Sequence, residues 1–552
     1  MSDTTAADPF RKEFLRLVET KAEAWKPDNQ PLVISPEEPD DDDQGKPDKP
    51  GRGAPRLLRI MDGCKLLIDP ADLAYIVING VPHQLDAKNP RLCEVLAGVY
   101  YRASDGAATL GKDAVSAAVA VWSDMAREHG EQALMANRSA AYGEALFYDL
   151  GNNRAARIAG GTWEIVTPPP GMFRPWQHKL PHPEPVKPGN AARLFEFSNV
   201  PENDRLLVLA TIAALIPPGV ARPALVVTGC QGSGKSTFAR FVKMLIDPGT
   251  PALTMVPRKV EDIDLQLVRN HVLALDNLSS LPPDVADLFS AVITRAGLQR
   301  RVLHTTSELL TLEPDVALIF TSISALSSRP DFMERTLRIQ LERIDDDARL
   351  ADDELDRAFD EAAPEILGGL LSMLAAGLEL LPPYRPEKLP RMASFARIAA
   401  AIAEAAEPGG GDQYLTAFFR NQGNQHLELA ETNQLFSAVL DATNNGEWLS
   451  GGIGEVAARL REIANPSQKD KFPTARGLRN ALERLRVPLR TAGIGFAFGE
   501  GCAKYKASLS FHPIDDNPES QQSPPETANQ TPPPPEPPEI EGLVFDAGEL
   551  DP

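Results

Sequence analysis

Hydrophobic and polar positions divide the middle of the chain into short apolar runs that alternate with amphipathic stretches. Three runs have the length and aliphatic content of buried strands: 223–229 (PALVVTG), 271–277 (HVLALDN) and 316–322 (VALIFTS). Helical periodicity follows the first two runs, over 235–246 and 284–296. Strands that alternate with helices predict a mainly parallel sheet covered by helices on both faces.

The flanking regions have different patterns. Segments 57–69 (LLRIMDGCKLLID) and 73–80 (LAYIVING) are predicted to be strands, and a hairpin is predicted over 299–312. The pattern divides the chain into seven segments: an N-terminal helix (1–34), a disordered acidic and Pro-rich linker (35–55), an N-terminal α+β domain (56–188), an α/β core (189–345), a helical domain (346–430), a mixed basic module (431–513) and a disordered acidic Pro-rich tail (514–552).

The net charge of -21 is concentrated in two acidic stretches. Segments 513–552 and 36–49 carry -10 and -5 of it, so the rest of the chain is only mildly acidic and leaves room for basic surfaces. The four cysteines are far apart and include no CxxC pair, which argues against a disulfide framework or a zinc site. A signal peptide and an apolar run of membrane-spanning length are not found, so we expect a cytoplasmic protein without a membrane partner.

A phosphate-binding loop is the most specific motif of the chain. Segment 229–236 (GCQGSGKS) matches GxxxxGK[ST] at every fixed position, between a predicted strand and a predicted helix. Backbone N–H groups of such a loop, together with the helix N-terminus, bind phosphate oxygens. Lys235 is expected to reach the β- and γ-phosphates, and the Ser236 hydroxyl to ligate Mg²⁺. The motif predicts a site for ATP with Mg²⁺ formed by Gly229, Cys230, Gln231, Gly232, Ser233, Gly234, Lys235, Ser236 and Thr237. The alternative is a glycine turn with an incidental lysine.

Polar residues at the ends of the next two strands complete this predicted site. Asp276 ends one strand about forty residues after Ser236 and is expected to hold the metal; its alternative role is a cap at the strand end. Thr321 and Ser322 end the other strand and are candidates for positioning the attacking water near the γ-phosphate. Asn277 follows Asp276 where many hydrolysing proteins of this architecture have a glutamate, and an amide cannot take a proton from water. Binding of ATP is therefore predicted more firmly than hydrolysis.

The segments GCQGSGKST, VLALDNLSSLP, RRVLHTTSE, LIFTSI and RPDFMERTLRIQL, in this order and spacing, resemble the superfamily 3 helicases of the AAA+ class. Within that class, these segments most resemble the C-terminal ATPase region of phage- and plasmid-type primase–helicases. The resemblance covers about 190–380 well, and 100–190 and 430–512 more weakly. It implies a P-loop NTPase fold and a homo-oligomeric ring, for example a hexamer, with ATP at each interface. No paired carboxylates of a primase centre accompany Asp149.

The same resemblance implies two further sets of residues. Arg335 would be the arginine finger on a neighbour's γ-phosphate, with Arg329 and Arg338 as rivals. The alternative is that Arg335 pairs with a nearby carboxylate such as Asp331 or Glu334. The hairpin over 299–308 would project into the ring's pore and bind single-stranded DNA through Arg300, Arg301 and His304; the alternative is an ordinary exposed hairpin.

The C-terminal module has the element order of a winged helix. Helices are predicted over 435–440, 454–463 and 474–485, followed by a hairpin of 486–494 and 503–511. Segment 465–513 contains nine Lys/Arg residues and three acidic residues, and this excess of positive charge favours duplex DNA binding. The residues predicted to make these contacts are Arg476, Arg479, Arg484, Arg486, Lys504 and Lys506. A solvated basic face or an oligomerisation module is the competing interpretation. The tail segment 541–550 is a candidate docking peptide for a protein partner, or simply a solvated end.

These features favour an ATP-hydrolysing DNA helicase or translocase that acts as a ring in the replication of, or the defence against, mobile genetic elements. The first alternative is an ATP-gated DNA-binding assembly switch with little or no hydrolysis, which Asn277 favours. The second is a P-loop phosphotransferase, against which the long helical region and the basic module argue.

Overall fold

The computed structural model describes residues 53–69, 72–106, 108–133, 135–257, 259–301, 309–312, 314–323, 326, 330–344, 351–431, 433–464, 472–499 and 508–514. The predicted N-terminal helix, most of the predicted linker and nearly all of the predicted tail lie outside the described residues.

The first module combines three helices with a small mixed sheet. The helices are α1 (Gly53–Ile60), α2 (Pro90–Ala103) and α3 (Lys112–His129). The sheet has the order β3-β2-β1-β4 and consists of β1 (Leu66–Ile68), β2 (Ala74–Ile78), β3 (Val81–Gln84) and β4 (Glu131–Gln132). The predicted strand over 57–69 is wrong in its first part, which is helical. Leu57 of α1 is completely buried and Gly53 lies against Ala114 of α3, so packing on a helix decides the conformation.

A second sheet follows in the chain and packs on the central core. It is an antiparallel meander of β5 (Ser139–Tyr142), β6 (Ala145–Gly151), β7 (Arg154–Ala159) and β8 (Thr162–Val166). Its side chains Leu146, Tyr148, Ile158 and Trp163 belong to the same hydrophobic core as the central sheet. The stretch predicted as one N-terminal domain, 56–188, therefore contains two sheets with separate cores.

The central sheet is parallel, as the sequence predicts. Its strands are β9 (Ala224–Thr228), β10 (Val272–Leu278), β13 (Ala317–Ser322) and β14 (Thr336–Gln340), in the order β10-β13-β9-β14. The neighbouring helices are α4 (Arg205–Ala214), α5 (Lys235–Ile246), α6 (Val260–Arg269), α7 (Pro283–Ile293) and the short α8 (Pro330–Met333). Between α7 and β13, strands β11 (Leu298–Arg301) and β12 (Leu309–Leu312) pair antiparallel as the predicted hairpin. Strand β14 was not predicted.

The helical region covers the β14 edge of this sheet. It consists of α9 (Asp352–Leu380), α10 (Ala393–Ala406) and α11 (Gly410–Glu431). On α11, the Asn421 amide accepts from Arg338 N at 3.0 Å and donates to Arg338 O. Gln425 Oε1 accepts from Thr336 Oγ1 at 2.9 Å, and Gln422 donates to Glu334 O at 3.2 Å. Side-chain amides thus take the place of a further strand beside β14.

Helix α9 lies deep in the protein. Of the helices within the described ranges, it alone is long and apolar enough to cross a membrane, and 56% of its apolar window is buried inside the protein. The chain before the 3₁₀ helix Ala191–Phe197 crosses it in direct backbone contact. Asn190 N donates to Glu365 O at 2.8 Å, and a Cβ at Gly368 would lie 2.0 Å from Val186 O. Glycine is required there because the two backbones touch.

The C-terminal module has its own core and a three-stranded antiparallel sheet. Its helices are α12 (Gln434–Asn444), α13 (Ile453–Ile463), α14 (Ala475–Arg484) and α15 (Arg486–Thr491). The sheet has the order β15-β17-β16, with β15 (Ser450–Gly452), β16 (Ile494–Gly499) and β17 (Ser508–Pro513). The predicted strand over 486–494 is wrong: this segment forms α15, which buries Leu489, and β16 begins at Ile494.

A buried charge network joins the second sheet to the central sheet. The Arg138 Nε–H donates to Asp247 Oδ1 at 2.7 Å, and Lys243 Nζ donates to Asp247 Oδ2 at 2.8 Å. The same Oδ2 accepts from the backbone N–H groups of His271 and Val272 at 2.9 and 3.0 Å. Burial raises the pKa of Asp247, but the charges of Lys243 and Arg138 outweigh it and hold this pKa well below the usual range. One carboxylate therefore ties the end of α5 to the start of β10 and to Arg138, which precedes β5.

Three histidines near this network are held neutral by burial. Burial, followed by the charges around each ring, lowers the pKa of His178 to about 4 and that of His271 to about 3, and it lowers the pKa of His182 well below its usual value. The His182 ring packs against Tyr148 at an interplanar angle of 53°, with 5.1 Å between centroids, and both of its nitrogens lack a hydrogen-bond partner in the described part of the chain. Because the unfolded chain binds these protons near pH 6.5 and the folded chain does not, stability falls as pH drops below about 6.5.

His182→Phe should reduce this loss of stability in acid. A phenyl ring fills the same space and takes up no proton, so the free energy of unfolding should change less between pH 7 and pH 5, by roughly 1.4 kcal/mol per pH unit for one proton. Urea denaturation of the full chain at several pH values measures the slope. His129→Phe, at an exposed histidine outside this network, is the control for the substitution itself. An unchanged slope in His182→Phe would contradict the buried neutral state of His182.

Candidate functional site

The glycine loop, defined as residues 229–236, connects the end of β9 to the start of α5. Gly229 has φ of +155°, Gly232 +79° and Gly234 +78°, values that residues with a Cβ rarely adopt. A Cβ at Gly229 would lie 2.4 Å from Ser233 Oγ and 2.8 Å from Leu341 O. Glycine is therefore needed at position 229 for backbone conformation and for space, and at positions 232 and 234 for backbone conformation.

Lys235 lies at the first position of α5 and its ammonium group turns back over the loop. Its Nζ donates to Gly229 O at 3.0 Å and to Cys230 O at 2.7 Å. Ser233 is buried, and its Oγ has no hydrogen-bond partner within the described residues. The N-terminal backbone N–H groups of α5 and this ammonium give the loop a positive electrostatic potential.

Asp276 joins two hydroxyl groups next to the loop. Its Oδ1 accepts from Ser236 Oγ at 2.8 Å and from Thr321 Oγ1. Thr321 Oγ1 also accepts from the backbone N–H of Asn277 at 2.8 Å. These contacts form because β13, with Thr321, lies between β9 and β10, and the carboxyl ends of all three strands meet at one edge.

Asn277 sits in a bulge of β10. The register to β13 shifts between Leu275 and Leu278, and Asn277 has φ of +57° with an exposed side chain. Asparagine is several-fold enriched in this left-handed conformation. The bulge therefore gives a backbone reason for an asparagine at this position.

Ser322 does not join the Asp276 cluster. Its Oγ donates to Leu278 O at 2.8 Å and is buried, because successive side chains of a strand point to opposite faces. Of the two predicted candidates at the end of β13, Thr321 contacts Asp276 and Ser322 links β13 to β10.

Arg335 lies at the opposite end of the sheet from its own glycine loop. Thr336 pairs with Ala224 at the start of β9, and Ala224 N donates to Arg335 O at 3.0 Å. Five residues of β9 separate this point from Gly229, roughly 16 Å at the rise of a strand, which an arginine side chain cannot span. Arg335 cannot reach the loop of its own chain.

In this chain Arg335 pairs locally with Asp331, as the alternative interpretation expected. Its Nη1 donates to Asp331 O at 2.7 Å and forms an ion pair with Asp331 Oδ1. The rival Arg338 donates from Nε to Thr228 Oγ1 at 2.8 Å, within the same chain. Arg329 lies outside the described residues. Sequence reasoning missed Arg391, which contacts the same Asp331 from the connection between α9 and α10. No local sequence signal could have found a contact across 60 positions.

The predicted nucleic-acid residues are described in part. Arg300 and Arg301 lie on β11 with only their backbone described, and His304, Lys504 and Lys506 fall outside the described residues. Arg476 and Arg484 occupy α14, again with backbone alone.

Two arginines of the C-terminal module lie over the sheet face. Arg479 stacks over the Phe498 ring at 4.9 Å, and Arg486 stacks over the Phe496 ring at 4.4 Å. Arg486 Nη2 also pairs with Glu483 at 2.7 Å, and its side chain remains 53% exposed. The two guanidinium groups therefore meet the antiparallel sheet from the side of α14 and α15.

The central part of the chain matches a known protein family. Residues 190–419 match the family model of the Actinomycete integrative conjugative element replication protein. The match covers the strands and helices that carry the glycine loop, Asp276, Thr321 and Arg335, and most of the helical region. This stretch is therefore similar to replication proteins of those elements. A comparison with curated proteins finds no match.

Solved structures give loose overlaps. The A form apo structure of the NrS-1 C-terminal region aligns over 85% of this chain and 100% of that chain, with 11% identity and a TM-score of 0.39. Another apo structure of the same region has 12% identity, the same coverage and a TM-score of 0.36. A JCV Helicase structure aligns over 45% of this chain and 67% of that chain, with 12% identity and a TM-score of 0.20. At these TM-scores the overlaps do not define a shared arrangement.

Proposed function

We propose that this protein is an ATPase of DNA replication that acts as a helicase or translocase. The observation that carries the proposal is the contact of Ser236 and Thr321 with one oxygen of Asp276, directly beside the glycine loop. The match of residues 190–419 to conjugative-element replication proteins supports the biological process. We place the activity in the replication of mobile genetic elements.

The glycine loop fits a nucleoside triphosphate. Phosphate oxygens would replace the carbonyl groups of Gly229 and Cys230 as acceptors for Lys235, and the loop and α5 would add backbone donors. In this role Lys235 binds the terminal phosphates, and Thr321 and Asp276 orient polar groups at the reacting end. The class of site is that of a P-loop NTPase.

The oxygen ligands beside the glycine loop also fit Mg²⁺, provided that the nucleotide supplies further ligands. Ser236 Oγ and Asp276 are the protein groups that would hold the ion, which would neutralise phosphate charge when bound. Among the described residues, no group of three His, Cys, Asp or Glu side chains could hold a metal. The ion therefore needs phosphate oxygens and water as further ligands, and we expect it to bind with the nucleotide rather than alone.

Arg335 gives the reason to propose an oligomer. An arginine that cannot reach its own glycine loop can complete only another subunit's site. Head-to-tail interfaces form a ring when the rotation between neighbouring subunits closes, and a ring is the assembly we propose. Two elements would then contact DNA: the β11–β12 hairpin with Arg300, Arg301 and His304, and the C-terminal module, whose helices and antiparallel sheet we interpret as a winged helix with Arg479 and Arg486 on its surface.

A second candidate function, an ATP-gated DNA-binding switch, is favoured by Asn277. This residue cannot act as a general base, and the bulge with φ of +57° is less compatible with glutamate. In this form of the proposal ATP drives assembly on DNA and turnover is slow. ATP turnover in the presence of single-stranded DNA distinguishes the two candidates.

Single-stranded DNA should stimulate ATP hydrolysis by the purified full chain. Lys235→Ala should lower turnover by about 100-fold or more, because the terminal phosphates lose the Lys235 ammonium group. Phosphate release with and without DNA is the measurement, and Arg357→Gln on the exposed face of α9 is the matched control. Tight ATP binding without turnover on any nucleic acid would reject the motor and favour the switch. Absence of ATP binding would reject both.

Thr321→Val should lower turnover by about 10- to 100-fold with little change in ATP affinity, because it removes the hydroxyl that bridges Asp276 and Asn277 while keeping the side-chain volume. Thr321→Ser keeps the hydroxyl and should retain most activity. Ser322→Ala should instead lower the melting temperature, since Leu278 O loses a buried donor. Equal losses of turnover in Thr321→Val and Ser322→Ala would contradict this division of roles.

Mixing two inactive variants tests whether Arg335 acts between subunits. Lys235→Ala keeps the finger and Arg335→Ala keeps the loop, so a mixed ring regains complete sites at about a quarter of its interfaces if subunits assemble at random. ATPase activity against mixing ratio should pass through a maximum near equal amounts. Activity that stays at zero at every ratio, or an Arg335→Ala variant that is fully active alone, would exclude a finger in trans.

A further inference from the structure

Asp331 is contacted by two arginines that compete for one of its oxygens. Arg335 Nη1 forms an ion pair with Asp331 Oδ1 and donates to the Asp331 backbone O at 2.7 Å. Arg391 Nη2 lies 3.0 Å from the same Oδ1, and Arg391 Nη1 pairs with Glu334. The cluster contains two arginines and two carboxylates, and both arginines contact Asp331 Oδ1.

The members of this cluster differ in exposure. The Arg335 side chain is 13% exposed, whereas Arg391, Asp331 and Glu334 are 45%, 55% and 35% exposed. Arg335 is therefore the inner member, covered by carboxylate, and Arg391 is the outer one. The Arg335 Nε, buried and without a hydrogen-bond partner in the described residues, shows that this pose satisfies the guanidinium incompletely.

We propose that Asp331 is a latch that holds Arg335 inside its own subunit, and that Arg391 is the positioning residue that opens it. Arg391 takes over Asp331 Oδ1 when Arg335 turns to a neighbour's nucleotide, so that no carboxylate is left facing the incoming phosphates. This proposal rests on the proposed role of Arg335 as a finger in trans. No proton or covalent bond moves; the Arg335–Asp331 ion pair breaks, and the Arg391–Asp331 ion pair, which is already present, remains.

The position of Arg391 connects the latch to the helical region. Arg391 lies between α9 and α10, while Asp331 lies on α8 and Glu334 follows α8, both shortly before β14. The amide contacts of α11 hold the backbone of β14 at the same place, with Gln422 on Glu334 O and Gln425 on Thr336. A shift of these helices against the sheet changes how closely Arg391 contacts Asp331 Oδ1. It thereby changes how strongly Asp331 holds Arg335.

Two substitutions should act in opposite directions. Arg391→Gln leaves Asp331 to Arg335 alone, so it should lower DNA-stimulated turnover and raise the ATP concentration for half-maximal assembly. Asp331→Asn removes the latch and should do the reverse. Each change should be about two- to fivefold, the range expected for one exposed ion pair. Arg391→Lys keeps the charge and should stay near the wild type.

The double variant separates a latch from a structural role. Asp331→Asn with Arg391→Gln should behave like Asp331→Asn alone, because Arg391 has no latch left to open. The matched control is Arg357→Gln, which breaks the exposed Arg357–Asp353 pair on α9, outside the Asp331 cluster. Melting temperatures of all variants identify any that fail to fold. Assembly is measured by sedimentation velocity with a slowly hydrolysed ATP analogue, which gives a readout without turnover.

The outcomes distinguish the latch from the proposed function. If Arg335→Ala abolishes turnover while Asp331→Asn and Arg391→Gln change neither turnover nor assembly, the latch is overturned and the finger stands. If both variants change in the same direction, the cluster is structural and the latch is again overturned. If Arg335→Ala equals the wild type and ATP drives no assembly, the finger and the latch both fail.

Discussion

The insertion of β13 between β9 and β10 is the constraint on which the candidate site depends. In a parallel sheet, all carboxyl ends meet at one edge, so strand order alone decides which terminal side chains become neighbours. Thr321 lies near the carboxyl end of the middle strand, so its hydroxyl reaches Asp276 on one side, while the glycine loop leaves β9 on the other side. Successive side chains of a strand point to opposite faces, so Thr321 and Ser322 have different partners, and Ser322 donates to Leu278 O.

The two ends of the same sheet have different chemistry. The carboxyl edge carries the glycine loop and Asp276, and the amino end of β14 carries Arg335 in an ion pair with Asp331. The length of β9 keeps these groups apart within one chain. A function that needs both groups at one phosphate therefore requires two chains, and this physical separation underlies the proposed oligomer.

Buried charge makes the second sheet part of the central body. Asp247 is neutralised by Lys243 and Arg138 and also holds the backbone at the start of β10. Removing one member would leave an unpaired charge in the interior, which is costly. Asp149 has a structural place here: its carboxylate lies 3.6 Å from Arg138 and 3.4 Å from Lys179. The network connects residues 109 positions apart in the chain.

Local patterns in the sequence determined the glycine loop, the strands around it, the parallel sheet and the β11–β12 hairpin, since each depends on residues close together in the chain. Tertiary structure decided what depends on distant residues. It made 53–60 and 486–491 helical through packing, formed β14 at an edge closed by amides of α11, and assigned Thr321 and Ser322 to different partners. It also brought Arg391 to Asp331. Side-chain periodicity records which face of an element is buried, but not against which neighbour, because that choice is made by contacts across the whole fold.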